Sequence, residues 1–237
     1  MNIPFLDDSL AFPDVWTAIR ERNGLVAIGG DLSVKRLILA YRNGIFPWFS
    51  EGEPICWWCL NPRMVLLPEN LHIPRSLGKK IRNTKYRITS NYNFAATIRN
   101  CAQIKRSAES GTWITPSMQR AYIDLHKLGI AHSFEYWYLE SGEYRLGGGF
   151  YGVQIGGVFC GESMFALVPD ASKIAFALGV EYLARQGIEI IDCQMHTEHL
   201  ARFGAKEIDF AEFEQYLKKL RDLEVSITKQ VIHQSFL

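Results

Sequence analysis

No stretch of the 237-residue chain approaches eighteen consecutive uncharged apolar residues, and MNIPFLDDSLAFPDVWTAIR at its start carries three aspartates and two prolines. That pattern argues against a membrane span and a secretory leader, and a cytoplasmic protein is expected. Cysteine is scarce and odd in number: Cys56, Cys59, Cys101, Cys160 and Cys193. A chain of this length folds without staples, so reduced thiols are expected. Net charge is nearly absent at +1, which excludes a whole-molecule polyanion binder and confines any nucleic-acid contact to a local patch. The CWWC pair at 56–59 has no second C-x-x-C or paired histidines to complete a zinc site, and His196 and His199 lack the i, i+4 spacing of a metalloprotease helix. No metal is expected. GGGFYG at 147–152 matches the letters of a dinucleotide fingerprint, but its flanks read as strand and not as helix. LVPDASKIA has no glycine before Ser172 to form a coenzyme A pyrophosphate loop, so no cofactor is expected. Repeats, low-complexity segments and long linkers are missing as well.

What is present is the composition of a globular domain, 48% hydrophobic and 22% charged. The first 60 or so residues are dense in turn signals (NG, GGD, NG, FPWF), with one short helix capped by Ser33 and ended by Gly44. After Pro62 the texture changes. MVLLP reads as a strand, a helix begins at Pro74, RITSNY is a strand, and NFAATIRNCAQI and TPSMQRAYIDLHKLG are helices. AHSFEYWYL and YRLGGGFYGVQIGGVFCGESMF give three further strands, the last two turning at Gly156 and Gly157. ASKIAFALGVEYLARQG is a helix stopped by Gly187, IEIIDCQ a strand, and TEHLARFG and FAEFEQYLKKLRDL the last helices. The order predicts an α/β protein of the α+β type: a small N-terminal domain, 1–62, and a mixed-sheet domain resembling the N-acetyltransferases, 63–237.

Three features point to chemistry. The strand IEIIDCQ ends in reactive side chains, and a period of two places Asp192 and Gln194 on one face with Cys193 beside Ile191 on the other. The cysteine and its neighbours are thus expected not to share a site. Arg75, Lys79, Lys80, Arg82, Lys85 and Arg87 put six basic residues and no acid within thirteen positions, and on a helix Arg75, Lys79 and Arg82 share a face suited to phosphates. Trp48 and Trp113 lie beside proline and glycine in loop-like segments, where an indole is a stacking platform for a base. A coenzyme A acetyltransferase and a non-catalytic tRNA-binding protein are rival readings; the first lacks the glycine loop, and the second leaves the Asp-x-Gln pair unexplained.

GIFPWFS, WWCLNPR, GTWIT, FCGESMF and IIDCQ, in that order, resemble the bacterial leucyl/phenylalanyl-tRNA-protein transferases, from NGLVAIGGDLS to HLARFGA. The resemblance implies transfer of leucine or phenylalanine, and also methionine, from aminoacyl-tRNA to a protein with N-terminal arginine or lysine, marking it for degradation. Aminolysis of the ester needs no acyl-enzyme. It requires a neutral amine held near the ester and a stabilised oxyanion. The implied catalytic pair is Asp192 and Gln194, with Asp192 orienting the amide and supplying a negative field. Glu162 is the implied anion for the acceptor's cation. Phe150, Met164 and Ile191 are the implied donor pocket, Trp48 and Trp113 the seat of the tRNA 3′ end, and Arg75, Lys79, Lys80 and Arg82 the contacts to the tRNA backbone.

Overall fold

A computed structural model describes residues 3–104 and 112–235; Gly111 of the GTWIT motif lies outside them. In chain order β1 (Phe5–Leu6), α1 (Val15–Arg22), β2 (Leu25–Gly29), α2 (Val34–Arg42), β3 (Phe46–Pro47) and β4 (Cys56–Trp58) build a four-stranded sheet in the order β1-β2-β4-β3. Ser33 caps α2 through the backbone N–H of Arg36, satisfying one of the donors a helix start leaves bare. Fully buried Arg36 also donates to the carbonyls of Ser9 and Asp7 and to the Asp31 carboxylate, tying down the N-terminal strap.

The chain then enters the larger sheet. Its elements are β5 (Arg63–Leu66), α3 (Arg75–Asn83), β6 (Tyr86–Ser90), α4 (Phe94–Gln103), α5 (Pro116–Lys127), β7 (Ala131–Glu140), β8 (Glu143–Ile155), β9 (Val158–Ala166), α6 (Ala171–Gln186), β10 (Ile190–Gln194), α7 (Glu198–Ala201), β11 (Lys206–Ile208), α8 (Phe210–Leu220) and β12 (Gln230–Gln234). The strands lie β11-β5-β10-β9-β8-β7-β6-β12, with β10 parallel to β9 and the other neighbours antiparallel. This is a mixed α+β fold with an N-terminal sheet, as the sequence order predicts. The sequence did not announce β11 or β12, whose Lys-Glu-Ile and Gln-Val-Ile-His-Gln stretches carry little apolar pattern and become strands by pairing with β5 and β6.

The two faces of the large sheet bury separate clusters. One joins the N-terminal sheet to α4, α5 and α8 and continues through Val65, Tyr151, Val153 and Cys160; the other packs α6 against Phe134, Phe150, Phe159 and Ile191. The N-terminal residues thus share a core with the larger sheet. Helix α6 is buried continuously from Ile174 to Val180, which explains why it lacks a polar stripe. A Cβ at Gly149 would lie 2.4 Å from the Phe134 carbonyl and one at Gly152 2.3 Å from that of Cys160, so GGGFYG serves close strand packing.

The β8–β9 turn needs glycine at Gly156, where φ is +57° and a Cβ would lie 2.1 Å from the Leu220 carbonyl oxygen. Gly156→Ala should cost about 1 to 3 kcal/mol from backbone strain alone, and more from the overlap with α8. Gly52 also has positive φ, +83°, but open space around it. Comparing the urea midpoints of Gly156→Ala and Gly52→Ala separates the two effects; equal losses would show that α8 does not press on this turn.

Candidate active site

Two neighbouring strands break the period of two at the same level. In β10 the register against β5 steps from Asp192↔Val65 to Gln194↔Met64, leaving Cys193 as an extra residue, and Gln194 takes a left-handed φ of +54°. In β9 the register against β8 steps from Gly161↔Gly152 to Ser163↔Tyr151, leaving Glu162 extra. Such bulges bend a strand and re-aim its side chains. Simple alternation therefore fails here: Cys193 and Gln194 both line one cavity, while Asp192 lies behind it. The expectation that the cysteine and its polar neighbours occupy different sites is corrected on that point. It does not make the thiol a nucleophile, because burial and the adjacent Asp192 push its pKa up and keep it neutral.

The cavity has a volume of about 360 Å³. Phe150, Met164, Ile191 and Phe176 supply apolar wall, Glu162 and Gln194 a polar end, and Trp48 and Trp113 also line it. Seven of the residues singled out in the sequence are thus brought together by β8, β9, β10 and two loops. Trp48 follows β3, is 42% exposed and packs edge-on to Trp58, whose indole N–H donates to the Trp48 carbonyl. The sequence reading did not single out Phe176, because nothing in the continuous apolar run of α6 distinguishes the residue that faces β8.

Asp192 is 1% exposed and held by Arg63, whose Nε and Nη2 donate to Oδ1 and Oδ2 at 2.7 Å each. The Arg63 guanidinium lies 5.0 Å from the Phe46 ring centroid and 4.7 Å from that of Phe213. Asp192 was expected to supply a negative field and orient the Gln194 side-chain amide. Instead its charge is matched at contact by Arg63, and its Oδ1 accepts from the Gln194 backbone N–H at 3.0 Å. It fixes the left-handed turn that aims the amide. The Gln194 Nε2 is buried and has no hydrogen-bond partner among the described residues. Arg63 stands in the WWCLNPR motif, but a lone arginine before an apolar strand gives no sequence signal that it is buried.

The Glu162 carboxyl is hydrogen-bonded to the Tyr41 hydroxyl at 2.8 Å and to the Tyr122 hydroxyl at 3.2 Å, and those two hydroxyls touch each other. No ion pair to it occurs among the described residues. Burial pushes its pKa up to about 8, the phenol hydrogen bonds and Arg63 opposing and Asp192 adding to the rise. Also lining the cavity, His199 has its pKa lowered by burial and by Lys173 and Arg202, and its Nε2 has no partner among the described residues.

Arg75, Lys79, Lys80 and Arg82 lie exposed on α3, outside the cavity, with Leu77 turned into the core. Lys80 bonds Asp170 at the head of α6, which carries Phe176, so the basic helix is tied to an element of the cavity wall. Among the described residues no group of three or more His, Cys, Asp or Glu is placed to hold a metal, and no helix is long and apolar enough to cross a membrane.

Removing Arg63 strands a buried carboxylate. Arg63→Met should cost about 3 to 5 kcal/mol in chemical denaturation. Arg63→Met/Asp192→Leu should recover most of that stability without recovering activity, since the backbone N–H of Gln194 loses its acceptor. Recovery of activity in the double variant would show that the pair only fills space.

A family model described as leucyl/phenylalanyl-tRNA protein transferase matches residues 65–218, and one described as its N-terminal domain matches residues 30–61. The leucyl/phenylalanyl-tRNA--protein transferase of Neisseria meningitidis serogroup B is 54% identical over 222 residues, 93% of this chain and 92% of that one. That of an Anaeromyxobacter species is 53% identical over 213 residues, 90% of this chain and 88% of that one. With both halves matched and more than half of the residues identical across nearly the whole length, the chain belongs to the leucyl/phenylalanyl-tRNA protein transferase family.

Proposed function

We propose that this protein transfers leucine or phenylalanine from aminoacyl-tRNA to the N-terminus of an acceptor protein. The observation that carries the reading is a cavity in which an apolar slot meets a polar end, with two tryptophans on its wall. Phe150, Met164 and Ile191 receive the unbranched-Cβ donor side chain, and methionine lets the slot take leucine, phenylalanine and methionine alike. Burial of such a side chain contributes about 1.5 to 3 kcal/mol. Trp48 and Trp113 seat the terminal adenosine, and Arg75, Lys79, Lys80 and Arg82 follow the tRNA backbone.

The acceptor's neutral α-amine attacks the ester carbonyl, a tetrahedral oxyanion forms, and the ribose hydroxyl leaves. An α-amine with a pKa of about 7.7 to 8.0 is partly neutral at physiological pH, so positioning is the main demand. Gln194 orients the amine and Asp192 holds Gln194 in place. Neither serves as a strong base, since an amide is scarcely basic and Asp192 is engaged by Arg63. Glu162 receives the cation of an acceptor that begins with arginine or lysine. The same proposal includes a cytoplasmic setting, marking of the product for degradation, and a division of the chain into 1–62 and 63–237.

Incubation with leucyl-tRNA and an Arg-initiated peptide should add one leucine by mass spectrometry; no addition rejects the proposal. Specificity constants for Leu and Phe donors against Arg- and Ala-initiated acceptors test the pockets. Glu162→Gln should lower the preference for Arg over Ala by about one to two orders of magnitude, as expected for loss of a charge-assisted hydrogen bond. Met164→Trp should exclude phenylalanine before leucine and leave the acceptor preference intact. A change of donor ratio in Glu162→Gln instead would place Glu162 against the donor.

Neutralising Arg75, Lys79 and Arg82 should weaken leucyl- and phenylalanyl-tRNA about equally and reduce the salt slope by about 0.7 to 0.9 per lost phosphate contact. Transfer from a minimal aminoacyl-adenosine should hardly change, and a comparable loss there would reject the assignment of α3.

A further inference from the structure

Glu162 on β9, Tyr41 on α2 and Tyr122 on α5 meet as a closed triangle of hydroxyl and carboxyl groups. Each phenol touches one carboxyl oxygen, and the phenols touch each other. Three contacts between oxygens require three hydrogens, and the phenols bring two. Both phenols keep their protons, because burial and Glu162 hold their pKa values well above the ordinary value. If Glu162 is ionised, both phenols donate to it and favour the anion, but the contact between them is then left with lone pair facing lone pair. If it is neutral, the carboxyl hydroxyl donates to Tyr41, Tyr41 to Tyr122, and Tyr122 to the other carboxyl oxygen, and every contact carries a hydrogen.

The surroundings agree with the neutral form. The titratable and charged groups facing this triangle are Tyr151 on β8, Cys160 on β9, Asp192 on β10 and Arg63 on β5. The Cys160 thiol is kept neutral by burial, and the pull of Arg63 toward a Glu162 anion is outweighed by Asp192, to which Arg63 is paired.

We propose that Tyr41 and Tyr122 are positioning residues that hold Glu162 as a neutral carboxylic acid in the empty site, so that taking up the acceptor's cation expels one proton. The step balances: carboxylic acid and free cation become a carboxylate–cation pair, and the proton passes to solvent. The inference rests on the reading that Glu162 receives the acceptor's cation, and it makes that recognition proton-coupled. Burial raises the Glu162 pKa to about 8 even against the pull of the phenol hydrogen bonds. Above that pH the empty site already holds the anion. Below it, affinity for a permanent cation such as guanidinium falls about tenfold per pH unit.

Infrared difference spectra of the full chain, wild type against Glu162→Gln, read the protonation state directly. At about pH 6 the wild type should show a neutral-carboxyl carbonyl band that disappears as the pH passes through about 8. A saturating Arg-initiated peptide, its binding verified by dialysis, should erase the band at the lower pH. Tyr41→Phe and Tyr122→Phe open the triangle and should each lower the titration midpoint by about one pH unit. Absence of the band at about pH 6, persistence of the band with peptide bound, or an unmoved or raised midpoint in both Phe variants overturns the proposal. The acceptor reading itself fails on a different result, an unchanged Arg-over-Ala preference in Glu162→Gln.

Discussion

The ion pair between Arg63 and Asp192 is the interaction on which the site depends. Both groups are 1% exposed, and withdrawing them from water costs several kcal/mol per ion. A bidentate fork, two aromatic rings against the guanidinium and a backbone N–H on Asp192 offset that cost. The partners come from every quarter of the fold: Arg63 from β5, Asp192 from β10, Phe46 from the N-terminal sheet and Phe213 from α8. A pair so placed ties the small sheet and the last long helix to the strand that carries Gln194. The chain of cause runs from the ion pair to the left-handed turn at Gln194 and from there to an amide aimed at the cavity.

The two bulges do the remaining work. One extra residue in β9 and one in β10, at the same level, turn Glu162 and Cys193 out of the regular pleat where an apolar slot ends. The resulting cavity joins aromatic and aliphatic wall to a few polar groups, as small-molecule sites do. Its interior carries little fixed charge: Asp192 is matched by Arg63, the Cys193 thiol is neutral, and burial favours neutral Glu162 and His199. Positive charge is concentrated outside, on α3. Such a division suits a donor whose bulk is a polyanion and whose reacting end is an uncharged ester, because long-range attraction then acts on the body of the substrate and leaves the reaction centre dry.

Much of this was legible in the residues themselves. Turn chemistry placed the β8–β9 hairpin at Gly156 and Gly157, Ser33 placed the start of α2, Gly187 the end of α6, and the basic run an exposed helix, because each depends on interactions within a few positions. The ordered set of motifs identified the family, and six of the implied site residues that stand in them line one cavity. Local order did not announce β11 and β12, which exist through pairing with distant strands, or Phe176, hidden in a helix apolar all round.

What the sequence determined by itself, then, was the family and most of the locally specified elements, because propensity, capping and periodicity act over short spans of chain. Only the tertiary structure decided how those side chains are aimed and charged. A bulge is defined against a neighbouring strand, so the split between Asp192 and its two successors is invisible in IEIIDCQ alone. Asp192 is paired by an arginine 129 positions earlier, and Glu162 is hydrogen-bonded by tyrosines 121 and 40 positions before it. Burial and partner charge fix protonation, and both arise only when distant segments close over the same cavity.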